Sequence, residues 1–310
     1  MRIHVLGSSA GGGLPQWNCG CANCRAARDG SVSIQPRHQS SLCVSEDGAR
    51  WLLVNASPDV RSQLASFAPL APPANSVRGS GVSAVAVTNG DIDHTAGLLV
   101  LREGGSPPIY GTALVRDALT RGLSILPTLE AYGEVHWREI SHGQRVDVAD
   151  RDGCSLGFAL EPFAVASKPP PYMMRLREYE RLDDRAGDTV GLVFVRGDAR
   201  VVYVPGVRDL DDALAAECAR ATAILIDGTF YTDDELLSLG ASQRNARTMG
   251  HAPMSGPGGT IEFLARFPRA RRVFIHINNS NPVLRHDSDA QRAVERAGIE
   301  VAYDGLDLVV

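Results

Sequence analysis

The chain has 310 residues, of which 44% are hydrophobic and 22% charged, and its formal net charge at pH 7 is −5. Disordered chains combine low hydrophobicity with high net charge, so this composition predicts a folded protein, and the weakly acidic balance argues against nucleic-acid binding. No apolar run approaches the roughly 18 residues of a membrane helix, and the N-terminal apolar stretch is shorter than a signal-peptide core. We therefore expect a soluble, cytoplasmic protein without membrane insertion.

The order of predicted elements along the chain indicates an α/β fold. Apolar runs and alternating patterns predict strands at residues 3–6, 41–45, 51–55, 82–87, 108–110, 135–139, 156–166, 190–195, 200–204, 223–226, 273–277 and 300–303. Helices are predicted at residues 59–67, 95–102, 112–122, 210–220, 259–267 and 288–297. Strand-rich halves with appended helices favour a sandwich of two mixed β-sheets with helices on the outer faces over a regularly alternating TIM barrel. We expect a single domain over residues 1–310.

The first motif that carries chemistry is C-x-C-x-x-C, formed by Cys19, Cys21 and Cys24. Thiolates this close together can bind one structural Zn²⁺, with a fourth ligand from elsewhere in the chain. The alternatives are a redox pair of Cys21 and Cys24, or reduced thiols without a role. Nearby proline, asparagine and glycine residues predict a turn-rich zinc knuckle at 19–24 rather than the start of a helix. The other cysteines have apolar neighbours and are predicted to lie in the core: Cys43, Cys154 and Cys218.

The second motif, T-N-G-D-I-D-H at residues 88–94, directly follows the strand predicted at 82–87. Loops at strand ends often hold functional groups, and Asp93 and His94 can bind one metal ion if the backbone turns sharply. Alternatively, Asp91 and Asp93 cap a helix that begins near Thr95. The motif by itself leaves both interpretations open.

A third candidate is His276, which ends an apolar strand and precedes N-N-S-N. A histidine in such a strand is commonly a hydrogen-bonded core residue. Together with Asp93 and His94, however, it gives two imidazoles and one carboxylate, the ligand set of non-haem Fe(II) oxygenases. The same three ligands also bind Zn²⁺ well, so the residue types do not fix the metal.

A strand followed by x-x-x-D-H and G-L, with a late histidine at a strand end, resembles the metallo-β-lactamase superfamily, which has an αββα sandwich fold. The superfamily motif T-H-x-H-x-D-H-x-x-G-L corresponds to T-N-G-D-I-D-H-T-A-G-L here, so Asn89 and Asp91 replace its two leading histidines. The bridging aspartate of the superfamily is also missing from V-Y-V-P-G-V at 202–207. The resemblance implies that one metal of the usual dinuclear centre is lost, while the three ligands of the other are kept.

Longer motifs resemble the pyrroloquinoline quinone (PQQ) biosynthesis protein B family over essentially the whole chain. They are L-P-Q-W-N-C-G-C-A-N-C, R-H-Q-S-S, N-G-D-I-D-H-T-A-G-L-L-V-L-R-E, D-G-T-F, M-G-H-A-P-M-S-G-P and H-I-N-N-S-N-P. The resemblance implies a role in making a redox cofactor from a Glu–Tyr unit of a ribosomal peptide. The expected partners are a small or dipeptide-like PQQ precursor and other PQQ biosynthesis proteins, with a homodimer left open.

The resemblance also suggests a fourth zinc ligand. In similar phosphodiesterases, a histidine three residues after the last metal-binding histidine completes a three-cysteine zinc site, and Asn279 is at the matching position here. Because an amide oxygen would be an unusual zinc ligand, a water molecule or an indirect supporting role for Asn279 is the alternative.

Two further residues are candidates for catalysis beside the metal. His251, in a loop between two methionines, is a candidate for substrate contact or proton transfer. Asp91 would act as a base or a hydrogen-bond acceptor that orients a ligand or a bound water. Because the implied substrate is acidic, an arginine is expected near the pocket, and three follow the proline-rich loop: Arg175, Arg177 and Arg181. A solvated helix face is the alternative for these arginines.

The leading hypothesis is a mononuclear iron oxygenase that hydroxylates the tyrosine ring of a Glu–Tyr-derived PQQ precursor. The expected cofactors are a structural Zn²⁺ and an active-site Fe²⁺, which Zn²⁺ can replace in the isolated protein. The first alternative is a metal-dependent hydrolase, which is best served by two metal ions about 3.5–4 Å apart. The second alternative is a soluble carrier that moves PQQ or its precursor towards the periplasm.

Overall fold

The structure of the protein is a computed structural model that describes residues 1–104, 107–176 and 187–310, and its strands form the frame of the fold. In chain order the strands are β1 (Arg2–Gly7), β2 (Ser41–Ser45), β3 (Trp51–Val54), β4 (Val82–Ala86), β5 (Ile109–Gly111), β6 (Trp137–Glu139), β7 (Val146–Ala149), β8 (Ser155–Ala164), β9 (Val190–Arg196), β10 (Ala199–Val204), β11 (Ala223–Asp227), β12 (Arg271–Ile275), β13 (Glu300–Val301) and β14 (Asp307–Val309).

The strands of the described residues form two seven-stranded sheets. The first has the order β14-β1-β2-β3-β4-β5-β6, and the second has the order β13-β12-β11-β10-β9-β8-β7. In the first sheet, neighbours from β14 to β3 are antiparallel and those from β3 to β6 are parallel. In the second, neighbours from β7 to β10 are antiparallel and those from β10 to β13 are parallel. Both sheets are therefore mixed, and the parallel strands of each sheet end at one edge.

Side chains of the two sheets share one apolar core between them. In β10, Val201 and Tyr203 belong to this central core, whereas Val202 and Val204 face the opposite side and pack under helices. Successive strand residues point to opposite faces, so a strand that is covered on both sides must be apolar throughout. This explains why the buried strands appear in the sequence as continuous runs of Val, Ile and Leu rather than as alternating patterns.

Helices cover the outer face of each sheet. The α-helices of the described residues are α1 (Ala22–Arg28), α2 (Val60–Ser66), α3 (Ile92–Thr95), α4 (Ala113–Asp117), α5 (Ile125–Glu130), α6 (Pro171–Met174), α7 (Asp212–Ala219), α8 (Glu235–Ser238), α9 (Thr260–Leu264) and α10 (Asp289–Arg296). Residues of α2, α4 and α5 pack in one cluster with the first sheet, and residues of α1, α7, α9 and α10 pack in another with the second. None of the described helices is both long and apolar enough to cross a membrane.

The predicted sandwich of two mixed sheets with outer helices is confirmed. Two local predictions are wrong. The cysteine motif does start a helix, because the thiol of Cys21 accepts the backbone N–H of Cys24 and so caps α1. Cys154 is exposed at the start of the hairpin strand β8 rather than buried in the core, although Cys43 and Cys218 are buried as predicted. Strands β7 and β14 and helices α5, α6 and α8 were not predicted at all.

Candidate metal centres

The first candidate centre lies where strands of the two sheets end. In the first sheet, β4 leads into the loop and short helix that carry Asp93 and His94, and in the second sheet β12 ends directly before His276. Ligand sites of α/β proteins commonly form at the carboxyl ends of parallel strands. The backbone at His276 has a φ of 60°, in the left-handed region, so the chain turns sharply where the strand ends. Side chains from the two facing sheets therefore meet at one point.

At this point Asp93, His94 and His276 each offer a ligand atom, and the three atoms lie within 4.8 Å of one another. The Nε2 atom of His276 is 3.3 Å from Oδ2 of Asp93, and the rings of His94 and His276 meet edge to face with centroids 5.2 Å apart. Both histidines are buried, whereas Asp93 is half-buried and lines a cavity. Two imidazoles and one carboxylate that converge in this way fit a divalent metal ion.

The ring orientation of His94 is set by Asn89. The Oδ1 atom of Asn89 accepts the backbone N–H of Asp91 at 3.1 Å, which identifies this atom as the oxygen, and it is 2.8 Å from Nδ1 of His94. Nδ1 of His94 must then carry the proton and donate it to Asn89. The lone pair is left on Nε2, a buried atom without a hydrogen-bond partner among the described residues. A buried, unpartnered ring nitrogen next to Asp93 is the arrangement expected of a metal ligand.

The ring orientation of His276 is set by Thr229. The Thr229 hydroxyl oxygen lies 2.5 Å from Oδ1 of Asp227 and 2.9 Å from Nδ1 of His276. A hydroxyl has one proton, and the short contact indicates that the Thr229 hydroxyl donates it in a hydrogen bond to the Asp227 carboxylate. The hydroxyl oxygen therefore accepts the Nδ1–H of His276. The lone pair on Nε2 of His276 then faces the carboxylate of Asp93, and a positive charge is needed between them.

A second group consists of Asp227, His251 and His276, whose ligand atoms also lie within 4.8 Å of one another. The hydroxyl of Thr229 occupies the space between them, since it is also 3.1 Å from Nδ1 of His251. That same nitrogen is 2.7 Å from Oδ2 of Asp227. The donor atoms of this group already satisfy one another, so we interpret it as a hydrogen-bond network that orients two histidines rather than as a second metal site.

Electrostatics near the first group favour the protonation states that a metal ion requires. Burial lowers the pKa of His94 to about 4. Burial raises the pKa of Asp93, but the charge that His94 carries when it is protonated, together with the hydrogen bond and the charge of His276, outweighs it and holds this pKa well below its usual range. Burial lowers the pKa of His276, but the hydrogen bond that a protonated Nε2 donates to Asp93, together with the charge of that carboxylate, outweighs it and raises the pKa. A neutral His94, a charged Asp93 and a preference for positive charge at His276 all suit a bound cation.

Asp91 holds the N-cap position of α3, but its side chain makes no capping hydrogen bond. Its Oδ2 atom instead accepts a hydrogen bond from Nδ2 of Asn89 at 3.0 Å. Burial and the neighbouring charge of Asp93 raise the pKa of Asp91 to about 6. The alternative in which both aspartates cap a helix near Thr95 is wrong, because the helix begins at Ile92 and both carboxylates face the cavity instead.

The second candidate centre is formed by the cysteine motif. The Sγ atoms of Cys19, Cys21 and Cys24 lie within 4.8 Å of one another. Burial raises the pKa of the Cys24 thiol to about 11. Burial also raises the pKa of Cys19, but hydrogen bonds from the backbone and side chain of Cys21 outweigh it and lower the pKa. Three thiols held this close fit a zinc ion, which would neutralise thiolates that otherwise repel one another.

Asn279 lies against this cysteine cluster. Its side-chain nitrogen is placed 3.1 Å from Sγ of Cys19 and 3.2 Å from Sγ of Cys24. The nitrogen and the oxygen of a side-chain amide have nearly the same size and shape. Turning the Asn279 amide over therefore places its oxygen against the sulfurs instead. The buried Asn23 of α1 donates hydrogen bonds to the backbone oxygens of Asn279 and Asn281, at 3.0 and 2.9 Å. Helix α1, which contains Cys24 and is capped by Cys21, is thereby joined to the loop that follows His276.

The cavity beside the first centre has a volume of about 250 Å³ and contains the predicted catalytic candidates Asp91 and His251 in its wall. Arg175 lines a neighbouring cavity of about 390 Å³ with Asp91 and Asp93, whereas Arg177 and Arg181 lie outside the described residues. The segment after β10 contributes Pro205 and Gly206 to the wall and no carboxylate, as predicted. Three residues of this site were missed in the sequence: Lys168, Asp227 and Thr229.

Sequence signals for the missed residues were weak. Asp227 and Thr229 belong to D-G-T-F, where an acidic residue and a glycine end an apolar strand, a pattern that many structural loops share. Lys168 is the chain's one lysine and precedes three prolines, but nothing in its spacing connects it with the histidines. Only the fold brings these residues to the candidate centre.

Two facing mixed sheets, outer helices and a histidine–aspartate cluster at the strand ends define a protein of the β-lactamase superfamily, and residues 50–277 match the family model described as "Beta-lactamase superfamily domain". Within this superfamily the chain belongs to the coenzyme PQQ synthesis protein B family. It is 43% identical to the coenzyme PQQ synthesis protein B of Methylobacillus flagellatus, over 100% of both chains. Its role is therefore in the synthesis of coenzyme PQQ.

Solved structures agree with this assignment. The chain is 38% identical to the Zn²⁺-bound PqqB of Methylobacterium extorquens, with a TM-score of 0.90 over 100% of both chains. A diphosphatase of the PhnP family is 18% identical, with a TM-score of 0.67 over 100% of this chain and 97% of the other. The second similarity shows a shared fold only.

Proposed function

We propose that the chain binds one catalytic metal ion through Asp93, His94 and His276 and hydroxylates the tyrosine ring of a Glu–Tyr-derived precursor during PQQ synthesis. One oxygen atom of O₂ enters the ring and the other leaves as water, and an external reductant supplies two electrons and two protons. The proposal combines the family role in PQQ synthesis with the chemistry of the ligand set.

The observation that carries the proposal is the convergence of two histidine Nε2 atoms, each fixed through its Nδ1, on one aspartate carboxylate. His94 is fixed by Asn89 and His276 by Thr229. A ligand set of two histidines and one carboxylate leaves coordination positions open, and Fe(II) in such a set can activate O₂. The Zn²⁺-bound relative supports metal binding by this family, though not the choice of Fe(II).

The residues around the metal ligands have separate roles in this proposal. His251 donates its Nδ1 proton to Asp227, so its Nε2 is free to exchange a proton with the substrate in the cavity. Asp91, held by Asn89, accepts a hydrogen bond from the substrate hydroxyl or from water. Buried hydrogen-bond networks of this kind hold reacting groups in place before the substrate arrives.

We also propose that Cys19, Cys21 and Cys24 bind a structural Zn²⁺, with the Asn279 amide oxygen or a water as the fourth ligand. The close contact of the Asn279 amide with two of the sulfurs supports the amide oxygen, rather than a water, as the fourth ligand. Thiolates favour Zn²⁺, whereas imidazole with carboxylate accepts Fe(II), so the two centres should differ in metal preference.

Anaerobic loading with Fe(II), followed by ¹⁸O₂, ascorbate and a Glu–Tyr-containing substrate, tests the proposed reaction. We expect mass spectrometry to show one ¹⁸O atom in the tyrosine ring, with no product from the His94→Ala variant or from protein loaded with Zn²⁺ alone. Cleavage of the substrate with oxygen from water would favour the hydrolase. Tight binding of PQQ or its precursor without any chemical change would favour the carrier.

Metal counting separates the mononuclear oxygenase from a dinuclear hydrolase. We expect His276→Ala to lose the iron and retain the cysteine-bound zinc, and Asp91→Asn to retain both metals with an affinity or rate reduced roughly 10–100-fold. Two metal ions at the histidine centre of the wild type, one of them lost in Asp91→Asn, would contradict the mononuclear proposal.

A further inference from the structure

Lys168 is a cation in the wall of the candidate active-site cavity. It is the chain's one lysine and lies in the loop between β8 and α6. Its side chain is half-buried and lines the same 250 Å³ cavity as Asp91, Asp93 and His251. The sequence pattern gave this residue no role.

The ammonium group of Lys168 has no partner in the described parts of the chain. No hydrogen bond joins it to them, and no carboxylate there lies within the 4.0 Å of an ion pair, although Asp91 and Asp93 are near enough to act on its charge. Removing a cation from water without pairing it costs free energy. The position of Lys168 is therefore not explained by an ion pair within the described residues.

Packing, rather than an ion pair, holds the Lys168 side chain in place. A Cβ atom built on Gly250 would lie 3.3 Å from Cγ and 3.6 Å from Cδ of Lys168, so the lysine stem rests against the backbone next to His251. Gly250 has a φ of +93°, a conformation that other residues rarely adopt. Pro169 and Pro170, which follow the lysine, are buried and restrict the loop.

The remaining charged groups of the cavity wall and its mouth explain why a cation is needed. Asp91 and Asp93 line the cavity, and Asp227 lies buried behind His251. These carboxylates would repel an acidic substrate unless a cation faces it. Apart from metal ions, Lys168 and Arg175 are the fixed cations that line these two cavities among the described residues, and Arg244 acts on Lys168 without lining either cavity.

We propose that Lys168 binds a carboxylate of the substrate and thereby positions the phenol ring at Asp93, His94 and His276. Lysine binds such a group as a compact point charge with three donors. This inference rests on the proposed function, because the Glu–Tyr-derived precursor supplies the carboxylates. The carboxylate can belong to the glutamate side chain or to the carboxyl end of the unit, and both have the same chemistry.

Binding to Zn²⁺-loaded protein tests the inference without turnover. The probes are the dipeptide Glu–Tyr, the dipeptide Gln–Tyr and Glu–Tyr with its carboxyl end as an amide, and isothermal titration calorimetry gives the affinities. We expect wild type to bind Glu–Tyr more tightly than one of the two analogues, each of which lacks one of the two carboxylates. In Lys168→Met this preference should disappear through a roughly 10–100-fold loss of Glu–Tyr affinity, as for a lost charge-assisted hydrogen bond. If Gln–Tyr is the weaker ligand of wild type, Lys168 binds the glutamate side chain, and if the amide is the weaker ligand, Lys168 binds the carboxyl end.

Matched variants separate recognition from structure. Lys168→Arg should keep most of the preference, and Arg244→Met, which removes an exposed cation that acts on Lys168 without lining the cavity, should not change it. Metal content equal to that of wild type checks that Lys168→Met is folded. An equal loss of affinity for all three probes, or a wild type that does not prefer the acid, would overturn the inference.

The outcomes for this inference and for the proposed function are distinguishable. If Fe(II) and O₂ give a hydroxylated product, Lys168→Met should raise KM with little change in kcat, since the carboxylate is bound equally before and during reaction. If no product forms but the lysine-dependent acid preference is present, the carboxylate site stands and the oxygenase fails. If product forms and Lys168→Met has wild-type KM, the inference fails and the oxygenase stands.

Discussion

Hydrogen bonds to Nδ1 of each histidine determine which ring nitrogen is available to bind a metal ion at the candidate centre. Asn89 holds Nδ1 of His94, and Thr229 holds Nδ1 of His276, which leaves Nε2 of each ring as the ligand atom beside Asp93. Such outer hydrogen bonds fix both the tautomer and the direction of the ring. Asn89 is especially informative, because it stands where the superfamily motif has a metal-binding histidine and here supports another ligand instead.

Removal of the Thr229 hydroxyl should weaken metal binding at the histidine centre. Thr229→Val keeps the shape of the side chain but leaves the Nδ1–H of His276 without its acceptor, so we expect the affinity for Fe(II) or Zn²⁺ to fall roughly 10–100-fold. Competition with a chromogenic chelator measures the change. Thr128→Val, which removes an exposed hydroxyl bonded to the helix backbone, is the matched control. Equal affinity in wild type and Thr229→Val would show that the hydroxyl does not orient the ligand.

At the scale of elements, helix α1 and the loop after β12 form one unit. The loop carries His276 and, three residues later, Asn279 at the cysteine cluster. Asn23 of α1 donates to two backbone oxygens of the same loop. An ion that fixes the cysteines would therefore also fix the segment that positions His276, although the two centres have different ligands.

The substitution Cys21→Ser should remove the structural zinc while keeping the helix. Serine is a good N-cap residue and can still accept the backbone N–H that Cys21 accepts, so α1 should still begin at Ala22. Because the binding energy of a structural metal is partly folding energy, we expect a loss of about one equivalent of zinc and a Tm lower by several degrees. Elemental analysis and calorimetry measure both. Cys154→Ser, at an exposed thiol, should change neither, and unaltered zinc and Tm in Cys21→Ser would contradict a structural zinc.

At the scale of the whole molecule, Asp304 joins segments that are distant along the chain. It accepts hydrogen bonds from the backbone and hydroxyl of Ser8 and from the backbone of His38, and its Oδ2 is 3.0 Å from Nδ1 of His38. The charged groups that act on His38 are Asp304 and Asp59, and Asp304 also acts on the neighbouring buried Arg37. The hydrogen bond with Asp304 raises the pKa of His38 against the effect of burial, which lowers it.

This contact should make part of the stability depend on pH. A pKa raised in the folded state means that folding favours the protonated imidazole, so the contribution is full below the unfolded pKa of about 6.5 and is lost as pH rises through the folded pKa. We expect His38→Asn to lower the free energy of unfolding more at about pH 6 than at about pH 9. Urea unfolding at both pH values measures this, with the exposed His286→Asn as control. An equal effect of His38→Asn at both values would exclude the contact as the cause.

Much of the fold and most of the candidate ligands were predictable because they depend on the pattern of residues that are close together in the sequence. Buried strands are apolar over their whole length, and the cysteine motif places three thiols within six positions, so neighbours along the chain suffice to predict them. His276 was found from its position at a strand end, because it completes a set of two histidines and one carboxylate, and the resemblance of the motifs suggested Asn279.

Only the tertiary structure determined how these residues act. Asp93 and His276 are 183 positions apart and meet because strands from facing sheets end at the same place. The tautomer of each histidine depends on partners from other loops, so spacing cannot reveal it. The same holds for Lys168, whose meaning comes from the cavity that it lines. A sequence specifies which groups are available, whereas lone-pair direction, burial and unpaired charge arise only when distant segments pack together.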